Sequence, residues 1–156
     1  MKIDCRDNNL IVFLNKKNIS GVDFYDKSSL ESYFRGLFSK LCDYGIEMSG
    51  SYDITVYIDC CGVVLEIVQD DVEYYYDVDM NITVSNYKGF IYKVSDFLFP
   101  GNYYSYNGCL YYDGFDIDFI KCGILIENSE IIYGKECFDI KRNGHIIDKC
   151  VQNMYN

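Results

Sequence analysis

The sequence predicts an α+β protein of two small two-layer units rich in antiparallel hairpins, either separate or packed as one compact domain. Three observations carry that expectation. Apolar and polar residues alternate in short runs, as in Tyr52, Ile54, Val56 and Ile58 against Asp53, Thr55, Tyr57 and Asp59, the period of a strand with one buried face. One stripe of period near 3.6, comprising Leu30, Tyr33, Phe34, Leu37, Phe38 and Leu41, marks an amphipathic helix. Asn107-Gly108 separates two aromatic runs, and a type I′ hairpin turn favours that dipeptide because both central residues take positive φ.

In chain order, Lys2 to Cys5 and Leu10 to Leu14 flank the polar Arg6-Asp7-Asn8-Asn9 and read as a hairpin. The polar connection Asn15 to Asp26 leads into the helix, for which Ser28 and Glu31 form a capping box and Gly45 supplies a left-handed stop. The strand Tyr52 to Asp59 turns at Cys60-Cys61-Gly62 into Val63 to Gln69. Residues 1–70 thus make a ββαββ unit whose helix stripe and inward strand residues bury each other.

Residues 71–79 read as a connector, since Asp70 to Asp79 holds five carboxylates and three tyrosines. This segment is either solvated charge or a partner-binding segment anchored by Tyr74, Tyr75 and Tyr76. Residues 80–156 form the second unit. Val78, Met80, Ile82 and Val84 alternate, Asn86-Tyr87-Lys88-Gly89 looks like a turn, and Phe90 to Val94 completes a hairpin. Tyr103 to Tyr106 and Cys109 to Tyr112 form the next.

Two stretches are ambiguous. In Asp116 to Glu127, Ile117, Ile120, Ile124 and Leu125 have helical spacing with Asp116 as a cap, but the run Ile124-Leu125-Ile126 also suits a buried strand. Phe138 to Lys141 and His145 to Asp148 flank Asn143-Gly144, as a hairpin or as a short helix stopped by a left-handed Gly144 before a strand.

Composition narrows the function. Of 156 residues, 24 are Asp or Glu and 14 are Lys or Arg, a net charge of -10, so no concentrated positive face is expected for nucleic acid or an anionic membrane. An aromatic content of 17% excludes intrinsic disorder. The chain has no Ala and no Trp while Tyr, Ile and Asn abound, a bias of AT-rich codons, so the many Tyr and Asn are not each read as functional. The charged opening Met1-Lys2-Ile3-Asp4-Cys5-Arg6-Asp7 lacks the apolar stretch of a signal peptide, and no run is long enough for a membrane span. A cytoplasmic location is expected, with the eight Cys reduced.

No motif marks a catalytic, cofactor or metal residue. His145 is the single imidazole, and without a second His or a G-x-S-x-G elbow it reads as a turn residue. The eight Cys contain no C-x-x-C, so neither a zinc knuckle nor a thioredoxin-like pair is indicated. Cys60-Cys61 sits at a turn where a thiol could be exposed, yet no adjacent basic residue activates it and Asp59 opposes ionisation. Asp116, Asp118 and Glu127 match positions 1, 3 and 12 of a calcium loop, but Ile120 and Lys121 stand where a ligand and a Gly are needed.

The order of features resembles the MecA-type adaptor proteins of Gram-positive bacteria. The opening Met1-Lys2-Ile3-Asp4, the strand Leu10 to Leu14, an acidic turn, a long helix and a hairpin are similar to that family's N-terminal domain. Phe90 to Phe97, the aromatic stretch Tyr103 to Asp113, and Tyr133-Gly134 with Gly144-His145-Ile146-Ile147 resemble its C-terminal domain. The chain departs from the family in its shorter length, its brief acidic connector and Gly123 within the C-terminal helical segment. The resemblance implies a non-enzymatic adaptor whose first half holds substrate proteins and whose second half docks on a Clp-type AAA+ unfoldase. No family binding residue transfers to a position here. The competing expectation is a small-molecule-binding domain or an enzyme using a carboxylate and tyrosine site, which a deep pocket with converging polar groups would support.

Overall fold

A computed structural model describes residues 1–7, 9–46, 50–59, 61–70, 79–87, 89–114 and 117–149, which hold three helices and ten strands in two five-stranded, largely antiparallel sheets. The protein is α+β. It divides into one unit of residues 1–56 with 62–85 and another of residues 57–61 with 86–156.

In the first unit, β1 (Lys2–Arg6) and β2 (Asn9–Asn15) form the expected hairpin, with Lys2 opposite Phe13 and Arg6 opposite Asn9. β2 pairs antiparallel with β4 (Gly62–Gln69), which lies beside β3 (Ser51–Asp59); β5 (Asp79–Val84) completes the order β1-β2-β4-β3-β5. Beyond the ββαββ expectation, the sheet therefore takes a fifth strand. β5 runs parallel to β3, with Tyr52 opposite Met80 and Val56 opposite Val84, rather than forming a hairpin with the following strand. Its alternation identified a strand but not a partner, because an apolar face at Met80, Ile82 and Val84 satisfies either pairing.

Helix α1 (Lys27–Asp43) buries Leu30, Phe34, Leu37, Phe38 and Leu41, the stripe read from the sequence except Tyr33, which is half-buried at its edge. The Phe38 ring meets Tyr52 edge-on at 5.5 Å, which sets the helix on the sheet face carrying Tyr52, Ile54 and Val56. The N-cap is Asp26, whose carboxylate accepts from the Ser28 N–H at 3.2 Å, so the helix starts ahead of the Ser28–Glu31 box. At the other end Gly45 takes φ +81 as expected. Its N–H bonds Cys42 O and the Ile46 N–H bonds Leu41 O, both at 3.0 Å, closing a Schellman motif.

In the second unit, β6 (Phe90–Val94), β7 (Gly101–Tyr106), β8 (Cys109–Asp113), β9 (Glu130–Tyr133) and β10 (His145–Lys149) order as β10-β7-β8-β6-β9. The β7–β8 turn has φ 47 at Asn107 and 75 at Gly108, as the Asn-Gly signal requires. Both ambiguous stretches resolve as helices. α2 (Phe119–Asn128) is capped by Asp118, and the sequence-expected cap Asp116 lies outside the described residues. α3 (Gly134–Asn143) ends at Gly144, which has φ -69 rather than a left-handed conformation. Glycine is needed there for another reason: a Cβ at 144 would stand 2.5 Å from Ile140 O.

Helices cover both faces of this second sheet. Ile91, Tyr111 and Ile132 pack with Cys137 and Ile140 of α3. Adjacent strand residues point to opposite faces, so Tyr92 and Tyr112 occupy the other side, where Tyr92 meets Cys122 of α2. The Tyr112 ring packs 4.8 Å from Tyr103, and its hydroxyl donates to Pro100 O at 3.1 Å.

Candidate functional site

Three features of the described surface and interior could carry function, and each lies within one unit. The first is a groove of about 540 Å³ in the first unit, bordered by Met1, by Ile3 of β1, Leu14 of β2, and Leu37, Lys40 and Asp43 of α1. Tyr33 also lines it. The Tyr33 hydroxyl donates to Asn18 O at 2.8 Å, and burial raises its pKa, so this phenol stays protonated and positions the loop.

The second feature is the outward side of α2. Its inward residues Cys122, Leu125 and Ile126 are buried, whereas Ile120 is 74% and Ile124 42% exposed, one helical turn apart. The dense run Ile124-Leu125-Ile126 therefore straddles two faces, which explains why its sequence resembled a buried strand. Elsewhere in this unit, Phe138 of α3 is 48% exposed and its ring lies 5.6 Å from that of Tyr87.

The third is a group of thiol and phenol side chains. Cys122 faces Tyr92 of β6, with Sγ 3.8 Å from the hydroxyl oxygen. Cys61, in the turn before β4, reaches the Cys122 thiol and also donates to Gly114 O at 3.7 Å. The contact from Cys61 lowers the Cys122 pKa to about 7; burial opposes the shift, the Tyr92 hydroxyl assists it, and Asp59 resists it. Burial is also the main reason Tyr92 titrates well above an ordinary phenol, which keeps its proton available to the sulfur. Gly114 makes the arrangement possible, because a Cβ there would lie 2.9 Å from Tyr92 Cε2.

This group escaped the sequence reading because its members are far apart along the chain. Cys122 is not on the helical stripe Ile117, Ile120, Ile124 and Leu125, of which Ile120 and Ile124 are in fact exposed, and nothing in the spacing places residue 61 against it. Cys60 lies outside the described residues, as do Tyr74, Tyr75 and Tyr76. The contrast with Cys137 is informative: that thiol is buried in the α3 core, and burial pushes its pKa up to about 11. His145 opens β10, exposed and opposite Ser105. Asp118 spends its carboxylate on the α2 cap, accepting from the Lys121 N–H at 2.8 Å. Among the described residues, no group of three or more His, Cys, Asp and Glu could hold a metal ion. No helix among them is long and apolar enough to cross a membrane.

Compared with family models, curated proteins and solved structures, the chain matches none.

Proposed function

We propose that the protein is a non-enzymatic protein-binding adaptor or regulator that docks partners on the outward side of α2. The observation that carries this reading is the exposure of Ile120 and Ile124 on a helix whose other side already fills the core. An apolar pair presented at helical spacing suits a partner groove, and burying it on association is favourable. The acidic balance of the chain favours a protein partner with a basic rim rather than nucleic acid.

The resemblance to MecA-type adaptors gives the finer form of the proposal: substrate proteins held by the first half, and a Clp-type AAA+ unfoldase bound by the second. The test is a pulldown from lysate of the source organism with ATP or a slowly hydrolysed analogue, read by mass spectrometry. The expected result is a Clp-type ATPase retained in the analogue and lost on Ile120→Asp with Ile124→Asp. A companion variant with Tyr74, Tyr75 and Tyr76 changed to Ser separates a linker from a docking segment. Reproducible absence of any protein partner would sink the adaptor reading.

A second reading rests on the groove beside α1. Lined by Ile3, Leu14 and Leu37 together with Lys40 and Asp43, it has the size of a small-ligand site. Saturable binding of a small molecule that Leu37→Trp abolishes, with the fold intact, would favour it.

A further inference from the structure

The thiol pair Cys61 and Cys122 offers chemistry that docking on α2 does not use. Cys122 lies on α2 and is 5% exposed, whereas Cys61 sits in a turn and is half-buried. The Cys61 thiol adjoins that of Cys122 and donates to Gly114 O at 3.7 Å, beside the Tyr92 ring whose hydroxyl lies 3.8 Å from the Cys122 sulfur. A second donor, the Tyr92 hydroxyl, approaches Cys122 from β6. One sulfur is thus reachable from solvent, while the other is enclosed and supplied with donors that stabilise a thiolate.

We propose that Cys61 and Cys122 form a reversible disulfide by exchange with a low-molecular-weight disulfide of the glutathione type. In the first step the Cys61 thiolate attacks one sulfur of glutathione disulfide; that S–S bond breaks, a mixed disulfide forms on Cys61, and one glutathione thiolate leaves. The Cys122 thiolate then attacks the Cys61 sulfur, the mixed disulfide breaks, and the second glutathione thiolate leaves. The protein loses two electrons and two thiol protons, and one glutathione disulfide becomes two glutathione thiols. Exposure assigns the order, because a tripeptide disulfide reaches Cys61 but not the enclosed Cys122. The Tyr92 hydroxyl supports the second step, because it still faces the Cys122 sulfur after the Cys61 proton has gone and favours its thiolate. The bond then closes between neighbouring thiols, at a sulfur separation of about 2 Å.

Cys137 provides an internal contrast. It is a buried thiol without such a partner arrangement, and its raised pKa disfavours exchange. The internal bridge is therefore directed to the turn and α2 rather than to Cys137, while the exposed Cys5 and Cys42 are open to glutathione on their own.

The test is non-reducing peptide mapping of the full chain after equilibration in buffers of rising glutathione disulfide to glutathione ratio, followed by acid quenching and alkylation. The expected result is a Cys61–Cys122 crosslinked peptide that grows with the ratio, disappears on return to reduced glutathione, and persists in Cys60→Ser. In Cys122→Ser, Cys61 should instead accumulate glutathione; in Cys61→Ser, Cys122 should remain alkylatable only after unfolding. Free Cys61 and Cys122 in the most oxidising buffer would overturn the proposal. So would a bridge from Cys60, or a Cys61 mixed disulfide that is never resolved in the unmutated chain. The wild-type map decides the matter even if a Ser variant folds poorly.

Discussion

Replacing glycine by alanine at three positions tests the packing of both units with signs fixed in advance. Gly36 lies within α1 and Gly123 within α2, and a Cβ at either would meet nothing within 4 Å. Alanine there removes the entropic cost of a helical glycine and should stabilise by about 0.5–1 kcal/mol. Gly114 has the opposite environment. Its Cβ would stand 2.9 Å from Tyr92 Cε2 and 3.1 Å from Ile117 Cδ1. Ordinary carbon contacts begin near 3.5 Å, so roughly half an ångström must be relieved. Tyr92 is 1% exposed and engages Cys122, which leaves its ring little room to withdraw. Overpacking of this kind costs about 1–3 kcal/mol. The Gly114→Ala and Gly123→Ala proteins, both altered in the second unit, should therefore differ by roughly 1.5–4 kcal/mol in urea unfolding. Equal stability of the two would refute the placement of Gly114 against Tyr92. Destabilisation by Gly36→Ala or Gly123→Ala would show that those helix faces are covered.

Under reducing conditions the urea midpoint should rise between pH 7 and pH 9 and fall above it. Cys122 has a folded pKa of about 7 against a usual 9, so the contribution of its thiolate is present above 9 and is lost as pH falls through 7. Cys137 and Tyr112 have folded values raised to about 11 and about 12, so their contributions are present below their usual 9 and 10 and are lost as pH rises through those raised values. Cys122→Ser should remove the rise and keep the alkaline fall; a flat profile would contradict both assignments. Asp26→Ala should cost about 1 kcal/mol through loss of the cap, while Ser28→Ala should stay within about 0.5 kcal/mol, as thermal unfolding would show. Phe34→Ala, at a residue 1% exposed in the α1 core, should cost about 3–5 kcal/mol; a loss below 1 would show that α1 does not pack as described.

Legibility in the sequence followed the range of the interaction. The α1 stripe, its Gly45 stop and the Asn107-Gly108 turn depend on neighbours a few residues apart, and the structure has each where the pattern put it. The α1 cap moved to Asp26 because Ser and Asp two residues apart can both cap, and side-chain reach decides between them. Strand partners were less legible: β5 carries a clear alternation but pairs with β3 rather than β6, since periodicity states which face is buried and not what lies beside it. Least legible was the thiol group, where Cys61, Tyr92 and Cys122 come from a turn, a strand and a helix. The helical stripe Ile117, Ile120 and Ile124 turned Cys122 away from the expected core, whereas the fold buries Cys122 and exposes Ile120, and only the tertiary fold brings Cys61 to it.

The α2 face and the α1 groove differ in what each would contribute to binding, and magnitudes separate them. Fully burying an exposed Ile is worth roughly 1.5–3 kcal/mol. Ile120, at 74% exposure, retains most of that to gain from a partner, and Ile124, at 42%, rather less than half. Together they can supply about 2–3 kcal/mol, or roughly 30- to 150-fold in Kd. Truncating both to Ala should weaken a captured partner by that order while leaving the core residues Cys122, Leu125 and Ile126 in place. Lys40→Ala, at the groove in the other unit, should change partner affinity by less than about threefold, since an exposed charge at an interface rim contributes little. The reverse ranking, with Lys40→Ala severe and the Ile pair neutral, would transfer the binding function from α2 to the groove, because only direct contact there would make a single rim lysine outweigh two exposed apolar side chains.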